Sequence, residues 1–189
     1  MNKGKLIVFS APSGSGKTTL VHYLLKQRPD IVFSISATSR KPRENEIDGK
    51  DYFFFSKEDF ITKINNSEFL EYEEVYNGKF YGTLLDEVEK NSENGKHVIF
   101  DIDVIGGINI KNLFPERTLA IFVQPPSIEV LQERLYNRGH NSPEEIDKRV
   151  QKAIKEMEYS SMFDKIILND NLEESKKIAF ECVDKFLNQ

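Results

Sequence analysis

Tryptophan is absent from this chain and cysteine occurs once, as Cys182. A lone cysteine forms neither an intramolecular disulfide nor a thiolate metal cage, and apolar neighbours in a C-terminal helical pattern place it in a core. No apolar run approaches the ~20 residues that a membrane span needs. The apolar stretch behind Met1–Lys5 covers only about five residues, too few for the hydrophobic region of a secretory signal. Positive charge is not in excess either: 26 Lys and Arg stand against 31 Asp and Glu, a net charge of −5. That balance argues against a nucleic-acid partner held by the overall field, so any phosphate must be met by local clusters. The expectation is a soluble, cytoplasmic protein with no membrane association. At 189 residues and 39% hydrophobic, the chain can bury one sizeable core but is short for two.

Along the chain, short apolar runs alternate with helical periodicities. Lys5–Ser10 reads as a strand, followed by a Gly/Ser-rich turn and a helix over Lys17–Gln27, where Leu20, Val21, Leu24 and Leu25 recur at helical spacing. Ile31–Ala37 reads as one further strand. A polar, basic stretch from Thr38 to Asp51 leads into the aromatic run Tyr52–Phe55, and Ser56 caps a helix with Phe60, Ile61 and Ile64 on one face. Phe69–Tyr81 is split by Asn77-Gly78, a hairpin signal. Leu84–Asn94 reads as a helix stopped by Gly95, then His97–Asp101 and Leu119–Val123 as buried strands. Ser127–Asn137 is a helix closed by Gly139, and Ser142-Pro143-Glu144-Glu145 is a capping box with proline at the first helical position. Lys165–Leu168 gives a last strand and Leu172–Leu187 a last helix. No internal repeat, linker or low-complexity tract interrupts the order. Strand–helix alternation predicts an α/β fold: a central parallel sheet with helices on both faces and the ligand site at the strands' carboxyl ends. Ile35–Thr83 breaks the rhythm as an antiparallel flap, and Pro125–Lys152 as an all-helical one.

The turn after the first strand, Ala11-Pro12-Ser13-Gly14-Ser15-Gly16-Lys17-Thr18, has the context of a phosphate-binding loop, strand before and helix after. Ala11 stands where the pattern has its first glycine, while Gly14 and Gly16 remain. Small residues let successive backbone N–H groups turn inward around phosphate oxygens, in line with the positive end of the helix. Lys17 adds a cation for the β- and γ-phosphates, and the Thr18 hydroxyl suits Mg²⁺. Asp101, at the end of a later apolar strand, reads as the matching Mg²⁺ carboxylate.

Arg40 and Arg43 flank Pro42, with Glu46, Gly49 and Tyr52 following. Arginine forks suit bidentate phosphate recognition. On its own this segment reads as a solvated basic turn, just as Glu71, Glu73 and Glu74 alone read as the wet face of a hairpin. Taken together, Thr38-Ser39-Arg40, Arg43, Gly49, Tyr52 and Phe54 resemble the signature of guanylate kinases, P-loop enzymes that move a phosphoryl group from ATP to GMP. The resemblance extends to Phe69-Leu70-Glu71, Tyr81-Gly82-Thr83, Asp101-Ile102-Asp103, Pro125-Pro126-Ser127, Arg134, Arg138-Gly139, Arg149 and Ile167–Asp170. Two departures are Thr18, where serine is usual, and a hairpin one residue longer before Tyr81.

The resemblance implies Mg²⁺ and ATP as co-substrate, with Lys17, Arg40, Arg134, Arg138 and Arg149 serving transfer and Asn169 near the adenine. It places Ser36, Arg40, Arg43, Tyr52, Glu71, Tyr81, Thr83 and Asp103 around GMP. Acceptor-only carboxylates at Glu71 and Asp103 favour guanine, whose N1–H and exocyclic amine are donors, over adenine. It further implies a single domain with a core at about 1–34, 84–124 and 153–189, an acceptor region at 35–83 and a lid at 125–152. Alternatives are a P-loop kinase for another nucleotide and a catalytically dead binding module; intact Gly16-Lys17-Thr18 opposes the second.

Overall fold

The structure is a computed structural model that describes residues 3–76, 78–137 and 142–189. Its elements are β1 (Leu6–Ser10), α1 (Lys17–Gln27), β2 (Ile31–Phe33), β3 (Ser36–Thr38), β4 (Phe53–Phe54), α2 (Lys57–Asn65), β5 (Phe69–Tyr76), β6 (Lys79–Leu84), α3 (Leu85–Glu93), β7 (His97–Ile102), α4 (Val104–Leu113), β8 (Thr118–Gln124), α5 (Ile128–Asn137), α6 (Pro143–Glu158), β9 (Lys165–Leu168) and α7 (Leu172–Leu187), with one 3₁₀ turn at Ser160–Met162. Five parallel strands take the order β2-β7-β1-β8-β9, and a second sheet takes the order β4-β3-β6-β5. Residues 1–5 and 30–100 form one compact unit, residues 6–29 and 101–189 the other.

In the second unit, β1 pairs in parallel with β8 from Leu6↔Thr118 to Ser10↔Phe122, and β8 pairs with β9. All five β1 residues are buried, and side chains alternate across a strand, so both faces of the sheet are covered. Helix α4 packs on β1 and β8, and α1 on β1 and α7. Val104–Leu113 is a helix that the sequence pattern does not announce. Its two central glycines and β-branched residues depress helix propensity, yet a Cβ on Gly107 would lie 2.4 Å from Ser10 Oγ and 3.0 Å from Val8 Cγ1. Glycine there is the condition for close packing on β1. Helices α5 and α6 join through Leu131, Leu135, Ile146, Val150 and Ala153. The expected capping box starts α6, Ser142 accepting from the Glu145 N–H and Glu145 from the Ser142 N–H.

In the first unit, the single strand expected over Ile31–Ala37 is two. Ile31–Phe33 pairs in parallel with β7, whereas Ser36–Thr38 crosses into the other sheet and pairs antiparallel with β6. That sheet is not wholly antiparallel, because β4 runs parallel to β3. Ser56 caps α2 by accepting from the Asp59 N–H. Phe60 is buried, but Ile61 faces out at 39% exposure, so the buried face is narrower than expected. Gly78, at φ 74°, helps close the β5–β6 hairpin; Asn77 lies outside the described residues. Cys182 is half-buried rather than in the core, and burial pushes its thiol pKa up.

Candidate active site

Between β1 and α1 the loop turns on Gly14 (φ 98°) and Gly16 (φ 89°), backbone conformations that side chains with a Cβ rarely adopt. Gly16 is the N-cap of α1 and no side chain caps the helix, so its first N–H groups face the loop. Ala11 does not share that conformation: the only non-glycine residue with positive φ among those described is Ser67. Alanine therefore carries no positive-φ strain at the position where glycine is common.

Lys17, the first residue of α1, donates to the Ile102 carbonyl at 2.6 Å and lies 2.7 Å from Asp101 Oδ1. The Thr18 hydroxyl donates to Asp101 Oδ2 at 2.5 Å. A lysine, a hydroxyl and a carboxylate from segments more than eighty residues apart thus meet at the loop's mouth. Among the described residues no three or more His, Cys, Asp and Glu cluster as a protein cage for a metal. The Thr18 and Asp101 oxygens fit Mg²⁺ nonetheless, since that ion takes one or two protein oxygens and completes its shell with water and phosphate.

Two more arms reach the loop. Arg149, from α6, donates to Ser13 Oγ at 3.2 Å. Arg134, from α5, donates to the Asn169 carbonyl at 3.0 Å. The Asn169 side chain is buried and donates through Nδ2 to the Ser15 carbonyl at 2.7 Å, tying the end of β9 to the loop. A cleft of about 400 Å³ is lined here by Gly14, Gly16, Thr19, Arg134, Asn137, Asn169, Asp170 and Leu172. Arg138, placed by sequence four residues along the same helical face as Arg134, lies outside the described residues. Asp103 caps α4, accepting from the Gly106 N–H at 2.9 Å through Oδ1, and its carbonyl accepts from Ser10 Oγ. Glu156, a residue sequence reading passed over, has its carboxyl pKa raised by burial despite Lys152 at 3.5 Å.

The flap builds a second cluster. Arg40 donates through Nη1 and Nη2 to the two oxygens of Glu46, both at 2.6 Å, and through Nε to the Tyr81 hydroxyl at 3.1 Å. Its guanidinium carbon lies 4.8 Å from the Tyr52 ring centre and 5.5 Å from that of Phe54. The guanidinium pulls the Glu46 carboxyl pKa down to about 2. Arg43 is exposed, its N–H donating to Glu46. Opposite strands bring Ser36 against Thr83 and Thr83 against Glu71. The Thr83 hydroxyl donates to Glu71 Oε1 at 2.6 Å, and both residues are buried. Glu71 is therefore not on the wet face. An irregularity between Phe69 and Glu71 breaks the alternation and buries Leu70 and Glu71 in succession, as a bulge does. The pairing of Arg40 with Glu46 was missed in the sequence, where an acidic residue three positions after Arg43 was its only signal.

The family model for guanylate kinase matches residues 3–186. The guanylate kinase of Bacteroides thetaiotaomicron is 55% identical over 186 residues, covering 98% of this chain and 91% of that one. That of Porphyromonas gingivalis is 52% identical over 169 residues, 89% of this chain and 90% of its own. The crystal structure of guanylate kinase from Anaplasma phagocytophilum superposes with a TM-score of 0.79 at 28% identity, covering all of this chain and 89% of that one. With a turned glycine loop, a Lys17–Asp101–Thr18 cluster and this likeness over nearly its full length, the chain belongs to the guanylate kinase family.

Proposed function

We infer that the chain transfers the γ-phosphoryl group of ATP to GMP, giving ADP and GDP. The observation that carries this reading is the meeting of Lys17 and Thr18 on the Asp101 carboxylate beside the uncapped α1 terminus, in a chain of this family. Loop N–H groups and the helix end meet the donor's phosphate oxygens. Lys17 leaves the Ile102 carbonyl and Asp101 to follow charge onto the moving group, while Arg134, Arg138 and Arg149 add cations as it passes. Thr18 and Asp101 would hold Mg²⁺, which supplies charge neutralisation at the β- and γ-phosphates when bound. No general base is needed, because the attacking oxygen of the acceptor is already anionic. Catalysis is then positioning and electrostatics.

Residues 35–83 are the acceptor region of this proposal, 125–152 the lid, and the remainder the core. Glu71, held by Thr83, and Asp103 accept from guanine donors, with Ser36 and Thr83 completing the base contacts; Arg40, Arg43, Tyr52 and Tyr81 hold the phosphate of GMP. Asn169 serves the adenine side through the loop it holds. GMP, AMP, UMP and dTMP compared in a coupled ADP-release assay test the reading. GMP should be preferred by about 10⁴-fold or more, as buried carboxylates left unpaired reject a mismatched base; equal rates with AMP would refute it.

A further inference from the structure

Arg40 carries five N–H donors in one plane. Its outer edge is given to Glu46, Nη1 to Oε2 and Nη2 to Oε1. The other Nη1 hydrogen goes to the Lys41 carbonyl at 3.0 Å, and Nε donates to Tyr81. Among the described residues this leaves the second Nη2 hydrogen, which lies on the same lateral edge as Nε–H. Glu46 is held in turn, because Oε2 also accepts from the Arg43 N–H at 2.8 Å. The two side chains are only 10% and 17% exposed, so water screens the pair weakly.

We propose that Glu46 is a positioning residue for acceptor recognition: it takes the outer edge of Arg40 and thereby presents the lateral edge, beside the Tyr81 hydroxyl, to the acceptor's phosphate. The proposal rests on the reading of the flap as the GMP region. A paired, planar fork is the arrangement that meets phosphate oxygens bidentately. The lateral edge reaches an anion by relinquishing or sharing only the Tyr81 contact. The outer edge would have to give up both Glu46 contacts and strand a carboxylate that still holds Arg43. Glu46 therefore stays in place when the acceptor binds, and Tyr81 sits where both its oxygen and the fork face one phosphate.

A competing anion that the phosphate must displace would have the opposite effect on affinity, so the sign of a substitution decides. GMP and guanosine, which lacks the phosphate, are titrated into the full chain as wild type, Glu46→Gln, Glu46→Asp, Arg40→Ala and the Arg40→Ala/Glu46→Gln double variant, with KM and kcat measured alongside. Glu46→Gln should weaken GMP about 10- to 100-fold, the range for losing a charge-assisted hydrogen bond. Guanosine affinity and the KM for ATP should stay unchanged, Glu46→Asp should recover part of the loss, and Glu46→Gln should do nothing further once Arg40 is gone. Tighter or unchanged GMP binding in Glu46→Gln, an equal loss for guanosine, or a loss that persists without Arg40 would overturn the proposal alone. A wild-type chain that binds AMP as well as GMP would overturn the functional reading and the proposal with it.

Discussion

Replacing Lys17 by methionine removes one charge at nearly constant length, and the structure sets two separate consequences. Turnover loses a cation that follows the moving phosphoryl, which by comparison with deleting one transition-state donor costs about 2.7–4 kcal/mol, or roughly 10²–10³ in kcat. Stability falls too, because Asp101 keeps its Thr18 partner but loses the ammonium at 2.7 Å. Side-chain exposures of 16% and 13% put this pair between an exposed one, worth about 0–1 kcal/mol, and a buried one, whose breaking costs about 3–5 kcal/mol. A loss of about 2 kcal/mol lowers Tm by roughly 4–8 °C for a chain of this length. Adding Asp101→Asn removes the stranded charge, so the double variant should regain most of the Tm and none of the turnover. Coupled ADP release and thermal melting read the two effects separately. Turnover in Lys17→Met within about threefold of wild type would refute the loop's role in transfer, given the expected scale.

Gly107→Ala gains about 1 kcal/mol of helix propensity but sets a Cβ 2.4 Å from Ser10 Oγ, which is pinned by its bond to the Asp103 carbonyl. Overpacking of about 1–3 kcal/mol should outweigh that gain, leaving a net loss of up to about 2 kcal/mol and a Tm lower by up to roughly 8 °C; a rise in Tm would show that the close approach is not tight. Glu156 has its folded pKa raised by burial, so its contribution to stability is lost as pH rises from the ordinary carboxylate range through the raised value. Glu156→Gln should accordingly raise Tm at pH 7 and leave it unchanged near pH 4, and equal shifts at both would contradict the assigned cause. Glu71→Gln should cut the preference for GMP over AMP by about 10- to 100-fold with the KM for ATP intact, as measured by the same release assay; unchanged preference would remove Glu71 from the base site.

Local signals with a mechanism survive in the fold. Lys17–Gln27 and Leu172–Leu187 are helices with the expected bounds, and the Ser142 capping box forms around a proline at the first helical position. What sequence could not show depends on tertiary partners. Val104–Leu113 has the composition of a poor helix and is one because Gly107 lets it lie against β1. Ile31–Ala37 reads as one run, but its halves pair with β7 and β6 in different sheets. Within the site, the phosphate loop was legible from residue type and spacing, since backbone geometry there is dictated by Gly14 and Gly16. The burial of Glu71 was not, because it turns on a bulge rather than on alternation. Neither was the Asn169–Ser15 bond, which joins residues 154 positions apart.

Phosphoryl transfer itself is followed most directly with ATP labelled at the γ-phosphate, the chain, Mg²⁺ and GMP, separating products by chromatography. The account predicts label in the β-phosphate of GDP, produced in step with ADP and absent when AMP replaces GMP. Label released as inorganic phosphate at the same rate with or without GMP would contradict it.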